Sequence, residues 1–119
     1  MRHEFEARLL TIYVGQDDKY QGALLYPAIV ARLAGHGIAG VTVLQGIEGI
    51  GASHKLHTTR LEALFSSLPV VIEAVDEPAK IDAALSDLDE MMTDGLVTVQ
   101  EVRAVRYIQS ADATDSSRS

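Results

Sequence analysis

The sequence predicts an α+β domain with the element order β-α-β-β-α-β, and three observations predict it. Four runs of strand length, rich in Val, Ile and Leu, are bounded by Gly, Pro and Asp. Two further segments carry apolar residues three and four apart, as a helix with one buried face requires. The helical segments follow the first and third strands only. That order is the ferredoxin-like split arrangement: one four-stranded antiparallel sheet with two helices on one face, and here a long loop between strands two and three.

The first strand is Arg8-Leu9-Leu10-Thr11-Ile12-Tyr13-Val14, ended by Gly15. A polar turn, Gln16–Gly22, leads to a helix from about Ala23 to His36, with Leu25, Ala28, Ile29 and Leu33 on its apolar face. Pro27 falls in the first turn, where a missing N–H costs nothing, and Gly35 and Gly37 end the helix. Strand two is about Ala39–Gln45 and strand three Pro69–Val75. The second helix begins at Pro78, places Ile81, Leu85, Leu88 and Met92 on one face, and closes at Asp94-Gly95. Strand four is Val97–Val105, with Ile108 as its furthest limit. Residues Ser110–Ser119 are rich in Ser, Asp and Thr with almost nothing apolar, so residues 1–109 are read as the domain and 110–119 as a disordered tail.

Composition removes whole classes of function. The chain has 119 residues, enough for one core. It has no cysteine, which excludes disulfides, thiolate metal sites and cysteine nucleophiles. No apolar run approaches the roughly 20 residues needed to span a bilayer, and Met1–Glu6 lacks the apolar core of a signal peptide, so a cytoplasmic protein without direct membrane insertion is expected. The net charge is −7, and no stretch clusters the Lys and Arg that neutralising a nucleic-acid backbone demands.

On the sheet face away from the helices, alternation places Leu9, Tyr13, Leu44, Val71 and Val75. A half-apolar face of that size marks an interface, and a homo-oligomer built around a symmetry axis is expected.

The connection from Gly46 to Leu68 concentrates the candidate chemistry. Loops in compact domains usually run about 4–6 residues, and this one is roughly three to four times as long. It starts Gly46-Ile47-Glu48-Gly49-Ile50-Gly51, a spacing that fits neither the dinucleotide fingerprint nor the phosphate-binding P-loop. Glycines here have two readings: a nest of backbone N–H groups for an anion, with Lys55 close by, or a bulge and sharp exit from strand two. Thr59-Arg60-Leu61-Glu62 fits a capping box, with Leu61, Leu64 and Phe65 behind it, so one or two helical turns are expected there. The exposed part is then Gly46–Thr58.

His54 and His57 would share a helix face, but two histidines fall short of the three or four protein ligands zinc takes, and no metal is expected. Arg103 and Arg106, three apart on strand four, would face opposite sides of the sheet. Lys19 and Tyr20 in the first turn are solvated groups or minor ligand contacts. No nucleophile elbow, His-carboxylate pair or metal-ligand set appears, and the acids of the second helix read as its solvated face. An enzyme is not expected.

Gly49-Ile50-Gly51, the polar segment through His54-Lys55 and His57-Thr58, and Leu68-Pro69-Val70-Val71-Ile72-Glu73 together resemble the PII signalling proteins. So does Thr93-Asp94-Gly95-Leu96-Val97 running on to Arg103 and Arg106. Tyr13-Val14-Gly15 with Asp18-Lys19-Tyr20, the Gly46–Gly51 turn and Leu68–Asp76 look closer still to a bacterial PII-like family of unknown function. The resemblance covers about Leu9 to Arg106, and the order and spacing of the motifs carry it.

The resemblance implies a small signalling homotrimer that binds an adenine nucleotide between subunits and presents the Gly46–Thr58 loop to a partner protein, a transporter or an enzyme. By position, Gly46, Gly49, Gly51, Ala52, Ser53 and Lys55 would line the cleft at the loop root, and Arg103 or Arg106 of a neighbouring subunit would meet the phosphates. The chain has no tyrosine between Gly46 and Leu68, so the loop nucleotidylation of nitrogen-signalling members has no target. It also has Leu96 where those proteins carry a phosphate-contacting lysine, which leaves AMP, ADP, ATP and cyclic AMP all open as ligands. Two other classes stay in view: a metal-responsive trimer like the divalent-cation-tolerance proteins, using His54 and His57, and a small nucleotide-processing enzyme in the same cleft.

Overall fold

A computed structural model describes residues 1–50, 56–58 and 68–109, with the backbone alone for 48–50 and 56–58. Its elements are β1 (Arg2–Gly15), β2 (Lys19–Tyr20), β3 (Ala23–Leu24), α1 (Leu25–Gly35), β4 (Gly40–Gln45), β5 (Glu48–Ile50), β6 (Leu56–Thr58), β7 (Pro69–Asp76), α2 (Pro78–Met91) and β8 (Leu96–Tyr107). The main sheet has the order β4-β7-β1-β8 with every neighbour antiparallel, which is the ferredoxin-like class the sequence predicts.

The core forms where alternation and helical period meet. Leu10, Ile12 and Val14 of β1 and Val70, Ile72 and Ala74 of β7 point to the helices. There they pack with Leu25, Ile29 and Leu33 of α1 and Ile81, Ala84, Leu88 and Met91 of α2. Truncating a fully buried residue of this kind to alanine typically costs about 2–5 kcal/mol, so this layer supplies most of the stabilisation. Leu85 and Met92, expected on the buried face of α2, pack only partly, while Ala84 and Met91 are the fully covered neighbours.

Two boundaries differ from the sequence reading. β1 begins at Arg2 rather than Arg8, because Arg2–Ala7 pair with Val102–Tyr107 in an arm beyond the end of β7. Most side chains of that arm are exposed, so no buried face leaves a period to read. α1 begins at Leu25 rather than Ala23, because Ala23–Leu24 pair with Lys19–Tyr20 in a tight hairpin. Gln21 and Gly22 turn it with φ of 51° and 83°, the consecutive positive values that two-residue hairpins favour.

α1 ends in a Schellman motif: Gly37, at φ 74°, donates to Ala34 O (3.0 Å), and Ile38 donates to Leu33 O (3.4 Å). The carboxylate of Asp76, 3% exposed, then accepts from Ala39 N (2.9 Å) and Glu77 N (2.7 Å). One side chain thus fastens the start of β4 and the start of α2. Burial pushes its pKa up, but the two amide donors, with Lys80 and Arg106 nearby, outweigh that and hold it below the ordinary value.

The face away from the helices carries three cross-strand rows. Leu44, Val71, Tyr13 and Leu96 are in register across all four strands, and Leu44, Tyr13 and Leu96 are 50%, 41% and 58% exposed. The next row is Thr42, Glu73, Thr11 and Thr98, and the third is Gly40, Val75, Leu9 and Gln100. All five residues expected on this face lie on it, and Leu96 joins them.

Candidate functional site

Among the described residues, the candidates separate to the two ends of the sheet. At one end, β4 runs out at Gln45 beside the start of β7. Gly46 donates its N–H to Pro69 O at 2.7 Å, and a Cβ on Gly46 would lie 2.6 Å from Pro69 Cγ. Close approach to the proline ring explains a glycine at this position. Its N–H is committed to the sheet, so an anion nest would have to be built from other residues. Gly49 lies in β5 opposite His57 in β6, the two short strands forming a ribbon within the segment expected to be an exposed loop. Because His57 sits in a strand, the helical spacing considered for His54 and His57 does not apply to it. Gly51, Ala52, Ser53, His54, Lys55, the capping box at Thr59–Glu62 and the tail at 110–119 lie outside the described residues.

The first turn closes over this end. Gln16 donates its N–H to Leu68 O at 2.8 Å, and its side-chain oxygen accepts from Gln45 Nε2. Asp18 holds the turn itself, accepting from Gly15 N at 2.8 Å through its carboxylate and from Leu25 N at 2.7 Å through its carbonyl. Lys19 is exposed, and Tyr20 packs partly against the core.

At the other end lie the arginines. Arg106 is in register with His3 and Arg103 with Glu6, so the two occupy opposite faces of the arm, as their spacing predicts. Arg103 is 72% exposed and, among the described residues, pairs only with Glu4, at 3.9 Å. The guanidinium of Arg106 stands 5.3 Å from the centroid of the Phe5 ring, on which His3 stacks at 5.5 Å. A cation over an aromatic face is attracted by the ring quadrupole, and the contact favours this placement of the guanidinium.

Two hollows adjoin Arg106. A cavity of about 90 Å³ is lined by His3, Asp76, Glu77 and Lys80 together with Phe5 and Arg106. A more open groove of about 250 Å³ is lined by Gly40, Val75, Ala104 and Val105 with the same Phe5 and Arg106. The groove is mainly apolar, and the cavity beside it sets the cations Lys80 and Arg106 against the acids Asp76 and Glu77. An apolar slot next to a charged recess can take a flat heterocycle that carries a polar group. Sequence reasoning singled out Arg106 but not Phe5, Lys80 and His3, which line the hollows beside it; the apolar Phe5 among acids was the available signal.

Within one chain the two ends do not meet. Gly15 is in register with Pro69 and His3 with Arg106, and the run of β1 from His3 to Gly15 is about 40 Å long at the usual strand rise. Among the described residues no group of three or more His, Cys, Asp and Glu could hold a metal, and no helix is long and apolar enough to cross a membrane.

The DUF190 family, described as an uncharacterised ACR, matches residues 7–104. The chain belongs to this family. A UPF0166 protein of Aquifex aeolicus is 33% identical over 98 residues, covering 82% of this chain and 92% of its own length. A UPF0166 protein of Methanocaldococcus jannaschii is 35% identical over 97 residues, covering 81% and 89%. Among solved structures, CPII of Thiomonas intermedia K12 superimposes with a TM-score of 0.62 at 16% identity, over 86% of this chain and 91% of that one. It is a nitrogen regulatory PII-like protein, seen bound to ADP, AMP and bicarbonate. A PII-like signalling protein of Thermus thermophilus gives 0.57 at 13% identity, over 87% and 91%. The DUF190 chain therefore has the PII-like form of the ferredoxin-like fold.

Proposed function

We propose that this DUF190 protein is a cytoplasmic regulatory homotrimer, not an enzyme, that binds an adenine nucleotide in clefts between subunits. The Gly46–Thr58 segment is its contact with a partner protein, a transporter or an enzyme. The observation that carries the reading is the separation of the glycine end from Arg106 along β1. In a closed ring the glycine end of one copy meets the arginine end of the next, and each cleft is completed by two chains. The row Leu44, Val71, Tyr13 and Leu96 supplies apolar surface for sheet-to-sheet packing around the axis.

In this cleft Phe5, Val75 and Ala104 would receive the base, and Arg106 with Lys80 would face the phosphates. Gly49, Gly51, Ala52, Ser53 and Lys55 of the neighbouring copy would close the site from the loop root, with Gly46 as the pivot against Pro69. Arg103 points to the other face and takes a lesser part. Nucleotide would act by population shift, binding one arrangement of the loop root better than another. PII-like structures that hold ADP and AMP support the choice of ligand.

Calorimetric titration with AMP, ADP, ATP and cyclic AMP, paired with light scattering, tests the reading. A trimer that binds at least one of the four, one per chain, is the expected result. A strict monomer, or a trimer blind to all four, would overturn it.

A further inference from the structure

The long connection between β4 and β7 leaves the sheet at Gln45-Gly46 and returns at Leu68-Pro69, so whatever the segment between them does is constrained by those two roots. Gly46 N–H to Pro69 O ties them directly. Gln16 belongs to neither root but touches both. Its N–H donates to Leu68 O at the returning root, and its side-chain oxygen accepts from Gln45 Nε2 at the departing one.

In the sheet order β4-β7-β1, Gln45 ends one flanking strand and Gln16 follows the other, so the two amides meet across the first residues of β7. Leu68, whose carbonyl accepts from Gln16 N–H, is itself buried at 7% exposed. Gln16 is itself held close, since it sits between Gly15 and Asp18, whose carboxylate accepts from Gly15 N. The strap therefore has a rigid anchor on the β1 side.

We infer that Gln16 is a positioning residue that straps the two roots of the 46–68 connection together and thereby sets the angle at which the connection leaves the sheet. It deepens the nucleotide-sensor reading and rests on it for its consequence at the ligand, though not for the strap itself. With the strap in place, Gly46 stays against Pro69 and the loop root faces one direction. With it released, Gln45-Gly46 can peel from β7 and the root samples others. Ligand affinity then falls through lost preorganisation, not through a lost contact.

The experiment reads the strap without ligand first. Amide hydrogen exchange at Gly46 is compared in wild type, Gln16→Ala, Gln45→Ala and the double variant. Each single change is expected to speed Gly46 exchange about fivefold, as for loss of one net hydrogen bond, and the double no more than either single. Exchange at Ile12 and Ile72 in the core stays as it was. Gln16→Glu retains the oxygen that accepts from Gln45 Nε2, and protection is expected to return. Unchanged Gly46 exchange in Gln16→Ala, or effects of the two changes that simply add, would overturn the strap. In the second arm, ADP is titrated into wild type, Gln16→Ala and Gln16→Glu. A weaker Kd in the alanine variant, restored in the glutamate one, is expected; equal affinity in all three would overturn the positioning role. Wild type that binds no nucleotide would defeat the sensor reading and the consequence assigned to Gln16 at the ligand, while the exchange data still decide the strap.

Discussion

His36 Nε2 lies 2.7 Å from Asp87 Oδ2, and this contact ties the C-cap of α1 to the outer face of α2. Arg32, one turn earlier on α1, reaches Glu90 at 2.8 Å and Asp87 at 3.7 Å, so Arg32 and His36 together face two acids of α2. The hydrogen bond to His36 is the largest influence on Asp87; with the charges of His36 and Arg32 it outweighs burial and holds the carboxyl below its ordinary value of 3.8. A carboxylate with a depressed pKa contributes stability that is complete above its unfolded pKa and lost as the pH falls through the folded one. The Tm of wild type should therefore drop more steeply below about pH 4 than that of Asp87→Asn, the two curves converging in acid. Parallel curves in thermal melts between pH 7 and pH 3 would show that the clasp contributes nothing.

Asp76→Asn should be the most destabilising single-atom exchange in this part of the fold. Both carboxylate oxygens accept from backbone N–H groups, and an amide offers only one acceptor. One donor, at Ala39 or Glu77, is left facing an NH2 group in a nearly closed site. A loss of about 1–3 kcal/mol is expected in urea denaturation, the range for a buried unsatisfied donor. The m-value should stay constant, since the folded surface is unchanged.

Charges placed on the apolar row test the assembly. Tyr13 and Leu44 flank Val71 in register, and both are partly exposed in the single chain. Tyr13→Lys with Leu44→Lys leaves the helix-side core untouched and should yield a folded monomer by light scattering, with near-native circular dichroism. A double variant that remained a trimer would move the interface elsewhere.

The two arginines should part company in a nucleotide titration. Arg106→Ala removes the group seated on Phe5 beside both hollows and should weaken ADP binding about tenfold or more, as for one charge-assisted contact. Arg103→Ala removes a side chain on the opposite face, joined loosely to Glu4, and should change affinity less than about threefold, as surface ion pairs generally do. Equal losses in the two variants would contradict the assignment.

The layered architecture was legible because it depends on periods. Leu10, Ile12 and Val14 alternate, Leu25, Ile29 and Leu33 recur at helical spacing, and each set is buried as its period requires. The Arg2–Ala7 arm was not legible because its pairing with Val102–Tyr107 buries little, so hydrophobicity carries no trace of it. The hairpin before α1 was hidden for a different reason: Ala23 and Leu24 suit a helix as well as a strand, and only the backbone at Gln21-Gly22 decides. Of the candidate site, the glycines and arginines stood out by residue type. The placement of Gly46 and Arg106 at opposite ends of β1 did not, because strand order and register are properties of the folded sheet. Phe5 and the Gln16–Gln45 bond escaped for the same reason, each gaining its role from a residue far off in sequence.

The distance between Gly46 and Arg106 has a genetic corollary on the proposed trimer. On that reading, a chain altered at the proline-side bend and a chain altered at the guanidinium would each bind weakly when purified alone, with their defects on different walls of the compartment. Mixed rings would bring a sound wall from each parent together at some boundaries, so co-expression of the two weakened alleles would restore part of the ligand uptake that each has lost.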